Sequence, residues 1–517
     1  MPKLKLILNN HKITIQNAPI NIARLLEKAT SYLVQGHYFS PAFRSRRWDG
    51  REHLLVFKKG HYRAPIGLLG VIRQELDKNG IEYEVKRAKT RKPEKVEFIW
   101  NEEIRLRPYQ VEAIEAFCKS PDAGRGILKM PIRSGKTKTA AGIIKRIGVK
   151  TLFLVPSQML MYQTAKSLSE SLPGSKVGMI GDGNWEEGSI TVATIQTLGR
   201  LKGGTKQQCS GNKMRNESGV LIKGKYLASL APCGRKRCNG SHNYKAEEDT
   251  RYRPLINNYD LAIMDEIHHL TGEVWHNVFS DIPAKYRLGL SATVNFDCKK
   301  ENERGVIWLR ACCGDIKYDV STSELIEQGY LMRQHVEMKP IRKPNCDGEK
   351  WSRDLQNRCI YSNPVRNRQI VIDAVTETDK GYKVMIVTNR KSQIKDITEI
   401  MDKYGIGHVT VTGEDSQDVR DERVDDFKSG KVQIIIGTVF GEGVDIPEIE
   451  SVIIAEGGQD AKATVQRMRN MTPMEGKTVS RLIDYWDDTN AYFRKHSRKR
   501  YTTYKSEPAF IVMKTWE

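Results

Sequence analysis

The sequence predicts an α/β protein with two parallel sheets in tandem, preceded by a small α+β domain. Three observations predict it. The apolar run Gly126-Ile127-Leu128-Lys129 passes through a short loop to Lys136-Thr137 and a helical pattern from Thr139, the order strand, tight loop, helix. Two further buried-strand patterns follow, Leu261-Ala262-Ile263-Met264 ending in Asp265-Glu266-Ile267-His268, and Arg287-Leu288-Gly289-Leu290 ending in Ser291-Ala292-Thr293. Beyond residue 340, strand-like runs at 384–388, 408–411, 433–436 and 451–454 alternate with helical segments, the pattern of a second parallel sheet.

At 517 residues the chain exceeds one ordinary domain. The expected divisions are 1–95 for a basic α+β domain, 96–335 for the first lobe with an insert at 199–257, 340–489 for the second lobe, and 490–517 for a basic aromatic tail. With 39% apolar residues, 28% charged, and no apolar run near 18 residues, a membrane protein is excluded and a cytoplasmic one is expected. Nine cysteines in such a chain favour thiols or a metal site over a disulfide framework.

The net charge of +21 is unevenly spread. Residues 1–100 hold 20 Lys and Arg against 9 Asp and Glu, residues 199–257 hold 13 against 4, and residues 490–517 hold 7 against 2. The remainder is slightly acidic. Positive charge gathered in accessory segments is the footprint of a polyanion binder. In the first domain Arg44, Arg46, Arg47 and Arg51 surround Trp48, and this cluster is the candidate nucleic-acid contact, although Trp48 by itself suits the core equally well. In the tail, Tyr492, Phe493 and Tyr501 interleave with Arg and Lys, a pattern that suits a nucleic-acid clamp or a solvated helix.

The loop Met130-Pro131-Ile132-Arg133-Ser134-Gly135-Lys136-Thr137 has the composition of a phosphate cradle. Backbone N–H groups and the positive helix end wrap phosphates, Lys136 reaches the outer ones, and the Thr137 hydroxyl holds Mg²⁺. Two carboxylates at the end of a neighbouring strand supply what nucleotide hydrolysis then needs. Asp265 completes the Mg²⁺ shell and Glu266 polarises water.

The insert holds Cys209, Cys233, Cys238 and His242, with gaps of 23, 4 and 3 residues. Three thiolates and an imidazole suit a closed tetrahedral Zn²⁺ site, and a 59-residue insert with few large apolar residues has little else to hold it folded. Arg235, Lys236 and Arg237 would sit on its tip and press on nucleic acid.

Gly-Lys-Thr, Asp-Glu-x-His and Ser-Ala-Thr, in this order and spacing, resemble the superfamily 2 helicases of the DExH group, in the XPB/UvsW-like branch. The resemblance spans about residues 104–487 and, more loosely, the Trp-Asp-Gly-Arg segment of the first domain. It implies two tandem RecA-like lobes that bind ATP and Mg²⁺ and hydrolyse ATP to move on DNA. Carried over position by position, it assigns Arg107 and Gln110 to the adenine side, and Pro131, Arg133, Ser134, Gly135, Lys136 and Thr137 to the phosphates. Gly443, Asp445 and Gln466 fall to the nucleotide side of the second lobe, and His268 joins the catalytic group. Ser291 and Thr293 link hydrolysis to movement. Pro156, Gly181, Thr194, Thr388 and Thr438 are assigned to the nucleic-acid backbone.

The last motif departs from the family. Its second and third arginines fall on Asn470 and Pro473, which leaves Arg467 or Arg469 to supply the arginine finger that the resemblance implies, with a sluggish or structural ATPase as the alternative. The activity implied is unwinding or branch migration of forks, R-loops and junctions by a monomer, including contact with RNA in RNA–DNA hybrids. A duplex translocase without strand separation, an RNA helicase and a DNA-binding protein with a degenerate motor stay open as alternatives.

Overall fold

The structure is a computed structural model. It describes residues 3–120, 124–203, 206–208, 213–215, 221–226, 243–245, 247–294, 303–438, 446–458, 472–474, 477 and 479–517. The chain divides into two compact units, Met1–Lys129 with Thr137–Asp319, and Val320–Glu517 with Met130–Lys136.

Among the described residues the first unit contains two larger sheets and three two-stranded ladders, one of them pairing Ser31–Leu33 with Arg51–His53. The amino-terminal one has five strands in the spatial order Val56–Lys58, His61–Pro65, Lys12–Gln16, Leu4–Leu8, Tyr83–Arg87. Leu4, Leu6 and Leu8 alternate inward, as do Ile13 and Ile15, so one face is buried under the helices Ile20–Ala29 and Leu69–Lys78. The core continues into the next part of the chain. Ile307, Trp308 and Ala311 of helix Glu303–Cys313 belong to the same apolar cluster. Gly67 makes this closeness feasible, because a Cβ there would stand 2.0 Å from the Arg310 carbonyl oxygen. The segment at 87–95 is also docked. Arg91 pairs with Asp260 at 2.9 Å and Lys95 bridges to Val149.

The larger sheet of this unit has eight strands in the order Asn184–Trp185, Val177–Gly181, Ile190–Thr194, Thr151–Val155, Leu261–Met264, Tyr286–Ser291, Arg125–Lys129, Ile316–Asp319. All pairings are parallel except that of Asn184–Trp185. Thr151–Val155, Ile190–Thr194 and Leu261–Met264 are buried at every position, as strands covered on both faces must be. Within the insert, Lys206–Gln208 pairs antiparallel with Asn243–Lys245, and Lys213–Arg215 with Leu221–Tyr226. Cys209, Cys233, Cys238, His242 and the basic residues 235–237 lie outside the described residues.

The second unit is a seven-stranded parallel sheet in the order Val409–Val411, Ile434–Gly437, Val384–Val387, Ser451–Ile454, Arg481–Asp487, His335–Ile341, Ile511–Lys514. Its last strand corrects the expectation of a free tail. Helix Ala491–Lys505 buries Phe493, Arg500 and Tyr504, and Ile511–Lys514 pairs in parallel with His335–Ile341. Arg500 is held by Asp484 at 2.8 Å and by the carbonyls of Tyr485 and Gly458. Basic and aromatic residues that resemble a nucleic-acid clamp in sequence are thus partly interior, because a buried guanidinium persists where acidic partners are buried with it.

Trp308 joins the two sheets of the first unit. His276 of helix Glu273–Asp281 stacks on it at 4.1 Å, Tyr32 meets its edge at 6.3 Å, and the Arg304 guanidinium lies 4.0 Å from its ring centre. Burial lowers the His276 pKa from 6.5 to about 4, with Arg287, Arg304 and Lys202 adding to it. The folded ring therefore resists a proton that the unfolded chain accepts below pH 6.5. Stability is whole above that pH and falls as pH drops towards 4, by about 3 kcal/mol from this group. Urea unfolding of the variant His276→Gln should show a shallower decline between pH 7 and 4.5 than the unaltered chain, and parallel declines would contradict the assignment.

Candidate nucleotide and nucleic-acid sites

Parallel register brings three strand ends to one edge. Lys129 pairs with Ser291, Gly289 with Met264, and Met264 with Leu154. The loop after Lys129, the Asp265-Glu266 pair and Ser291 all leave the sheet at this edge, where parallel α/β sheets present their ligand sites.

The loop is shaped by two residues with positive φ, Arg133 at 67° and Gly135 at 76°. Ser134 is fully buried and its hydroxyl donates to the Pro131 carbonyl at 2.7 Å, pinning the turn from within. Lys136 opens the helix Lys136–Ile147, and its Nζ lies 3.5 Å from the same carbonyl. Met130, standing where the fuller phosphate-loop pattern has glycine, is fully buried, so its side chain anchors the loop's entry. On the helix Pro108–Cys118, the Gln110 side-chain oxygen accepts from the Arg107 backbone N–H at 2.8 Å, and Arg107 Nη1 donates to the Tyr109 hydroxyl at 3.1 Å.

Asp265 is nearly buried, and its Oδ1 accepts from the Glu266 backbone N–H at 2.9 Å. Glu266 itself sits in the left-handed region, φ 47° and ψ 51°, which is strained for a residue with a Cβ. Its carboxylate lies 3.3 Å from His268 Nδ1. The same nitrogen is 3.0 Å from the Ser291 hydroxyl and 3.4 Å from that of Thr293, whose backbone N–H donates to Ser291 Oγ at 3.2 Å. One imidazole nitrogen therefore touches the carboxylate after one strand and both hydroxyls after the next.

A second concavity collects residues assigned to the nucleic-acid backbone. Pro156, Gly181 and Thr194 line it together, with Gln196, Arg200, Arg251 and Trp185. Gln196 donates to the Pro156 carbonyl at 2.5 Å, and Thr194 caps the helix Ile195–Lys202 that carries Arg200. Sequence reading misses Arg200, although Gln196 and Arg200 stand four apart on that helix and so share a face. Arg251 stacks over Trp185 at 4.4 Å, a pairing with no local sequence signal.

Other assignments change. Thr388 is fully buried and donates to Gln393 Oε1 at 2.5 Å, so its hydroxyl serves the second sheet's interior and not a backbone contact. Thr438 follows the strand Ile434–Gly437 and is half-buried, its N–H donating to Val411. Trp48 is half-buried, with its indole N–H given to the Arg51 carbonyl at 2.7 Å, and Arg51 is bonded to Ser31 through Nε and Nη2. Both are scaffold, while Arg44, Arg46 and Arg47 are exposed. Gly443, Asp445, Gln466, Arg467 and Arg469 lie outside the described residues. Among the described residues no group of three or more His, Cys, Asp or Glu could hold a metal ion by itself, and no helix is long and apolar enough to cross a membrane.

A phosphate-type loop and an acidic strand end on one parallel-sheet edge are the marks of a nucleotide-driven motor. Comparison with known proteins agrees. Residues 103–296 match the family model described as type III restriction enzyme, res subunit, and residues 366–469 match that of the helicase conserved C-terminal domain. The DNA 3'-5' translocase XPB2 of Sulfurisphaera tokodaii is 24% identical over 77% of this chain and 85% of its own length. The ATP-dependent DNA helicase uvsW of Enterobacteria phage T4 is 21% identical over 94% of each chain. In fold, the chain is similar to S. cerevisiae Dbp5 bound to RNA and ADP BeF3, with a TM-score of 0.50, 14% identity, and coverage of 80% of this chain and 90% of that one. The chain belongs to the superfamily 2 helicases, ATP-driven enzymes with two RecA-like lobes, and within them it resembles UvsW.

The strand ends tolerate little change in packing. A Cβ on Gly289 would stand 2.2 Å from Ile267 Cδ1 and 3.2 Å from Ile127, directly beneath the turn that carries His268. Gly289→Ala should therefore cost roughly 1–3 kcal/mol in urea unfolding, the usual penalty of overpacking. A variant as stable as the unaltered chain would show that the turn is not set by this contact.

Proposed function

We propose that this chain is an ATP-driven DNA motor that separates or branch-migrates the strands of forks, R-loops and junctions. The observation that carries the reading is His268 Nδ1, shared by Glu266 and Ser291. A change at the nucleotide reaches Glu266, and the same imidazole can pass it to the strand end that follows. In this reading Lys136 and the amino end of its helix bind the phosphates, and Thr137 and Asp265 hold Mg²⁺. Glu266 orients the attacking water, and Arg467 or Arg469 stabilises charge on the transferring phosphoryl group. ATP and Mg²⁺ are the cofactors of the family, and the built loop, with its buried Ser134 brace, suits them.

DNA as the track is supported by the names of the two relatives and by the basic first domain. Pro156, Gly181, Thr194 and Arg200 would hold one strand's phosphates, and Arg44, Arg46 and Arg47 would hold the substrate beside them. A duplex translocase without strand separation is the second reading, favoured by what XPB2 is named for. Zinc in the insert is proposed on cysteine spacing, with one further support. Gln208 and Asn243 face each other in a ladder, and Cys209 and His242 are their immediate sequence neighbours. Absence of zinc from the purified folded chain would remove that part of the reading.

ATP hydrolysis and strand displacement decide the rest. Forked DNA should stimulate hydrolysis strongly and be unwound, RNA duplexes should do neither, and Lys136→Ala should lose on the order of 10²-fold or more in hydrolysis. Stimulation by duplex DNA without displacement would select the translocase. Tight DNA binding with no stimulation would mean that the altered last motif has cost the chain its motor.

A further inference from the structure

The loop between Val34 and Gly50 is braced from inside. The Val34 N–H donates to the Gly50 carbonyl at 2.8 Å, His37 Nδ1 lies 3.0 Å from the Val34 carbonyl, and His37 meets Phe43 edge-on at 4.6 Å. Gly50 has φ 80°, and a Cβ there would come within 2.9 Å of His37 and 3.0 Å of Phe43. Trp48 is tied to Arg51, and Arg44 Nε donates to the Tyr38 carbonyl at 3.0 Å.

On this fixed frame Tyr38 is 56% exposed and Phe39 67% exposed, their rings 4.4 Å apart. Adjacent aromatics held outward by a packed scaffold differ from the scattered apolar residues of any surface. Tyr38 lines an open concavity with Phe43, Arg44, Arg46 and Arg47. It also lines a groove that reaches Arg304 and Trp308 on helix Glu303–Cys313. The acidic residue in the concavity, Asp49, is already engaged, with Oδ2 2.9 Å from His53 Nε2 and Oδ1 accepting from the Arg51 N–H.

We infer that Tyr38 and Phe39 form a stacking platform for an unpaired base at the mouth of a DNA duplex, with Arg44, Arg46 and Arg47 holding the flanking phosphates. Ring faces together with guanidinium groups match a ligand that carries both π faces and phosphates. Along its length a duplex offers its phosphates and base edges but keeps its base faces stacked, so away from a blunt end it is an unpaired nucleotide that can use the two rings. The first domain would thus read the point where strands part, not duplex as such. This rests on the reading of the chain as a DNA binder.

The test uses the full chain with a fork and a blunt duplex of matched sequence, the fork carrying 2-aminopurine at its first unpaired position. The unaltered chain should prefer the fork and change the 2-aminopurine fluorescence. Tyr38→Ala with Phe39→Ala should weaken fork binding on the order of tenfold, leave duplex binding within about twofold, and abolish the fluorescence change. Tyr38→Trp with Phe39→Trp should restore all three. Equal losses on fork and duplex, or none on either, overturn the inference. If the double alanine variant keeps DNA-stimulated hydrolysis and full fork affinity, only the platform fails. If the unaltered chain binds no DNA, the motor reading fails with it.

Discussion

His268 Nδ1 sits where two strand ends meet, within 3.4 Å of Glu266, Ser291 and Thr293. Much of the first unit is arranged so that this meeting can occur. Parallel pairing of Leu261–Met264 with Tyr286–Ser291 sets the two ends level, and Gly289 lets the turn after Met264 lie close over the neighbouring strand. The left-handed backbone at Glu266 costs of order 1–3 kcal/mol, and the buried strands beneath it supply the packing that holds it. Strain of this kind persists where the surroundings over-determine it. Here the surroundings are the core of the sheet.

The amino-terminal domain is part of the same rigid body of contacts. Trp308, on the helix that follows the Ser-Ala-Thr strand end, is covered by Tyr32 on one side and His276 on the other. Any DNA held by Arg44, Arg46 and Arg47 is therefore held by a domain whose core runs into that helix, and not by a tethered accessory. In the second unit, Arg366 with Asp487 and Arg500 with Asp484 are ion pairs without measurable exposure. Such pairs add little net stability but punish the loss of either partner, so the first ties the helix Pro364–Asp379 to the strand Arg481–Asp487 and the second ties the carboxy-terminal helix to the same strand.

The motor was legible in the sequence because its signals are local. Strand, loop and helix follow directly from apolar runs ending in Gly-Lys-Thr, Asp-Glu-x-His and Ser-Ala-Thr, and parallel pairing then aligns the ends. What was not legible depends on contacts distant in sequence. Trp48 suits a DNA contact and a core position equally in sequence, and only its bond to the Arg51 carbonyl decides; Thr388, assigned to the nucleic-acid backbone by resemblance, is bonded to Gln393. Arg500 looks like part of a solvated tail because Asp484, its partner, is sixteen residues away on a strand. Tyr38 and Phe39 escaped notice for the opposite reason, since exposure of an aromatic pair cannot be read from a sequence that would bury it equally well.

The most direct test removes the shorter of the two contacts between the shared imidazole and the second strand end and compares hydrolysis with movement. Ser291→Ala removes the hydroxyl at 3.0 Å while leaving the strand buried as before. Rates of ATP hydrolysis and of strand displacement on forked DNA should be measured for the same preparation. Hydrolysis should stay within a few-fold of the unaltered chain and displacement should fall by about tenfold or more, a loss of one hydrogen-bonded link of roughly 1.5 kcal/mol or above. Hydrolysis and displacement falling in equal proportion, or neither changing, would contradict that link.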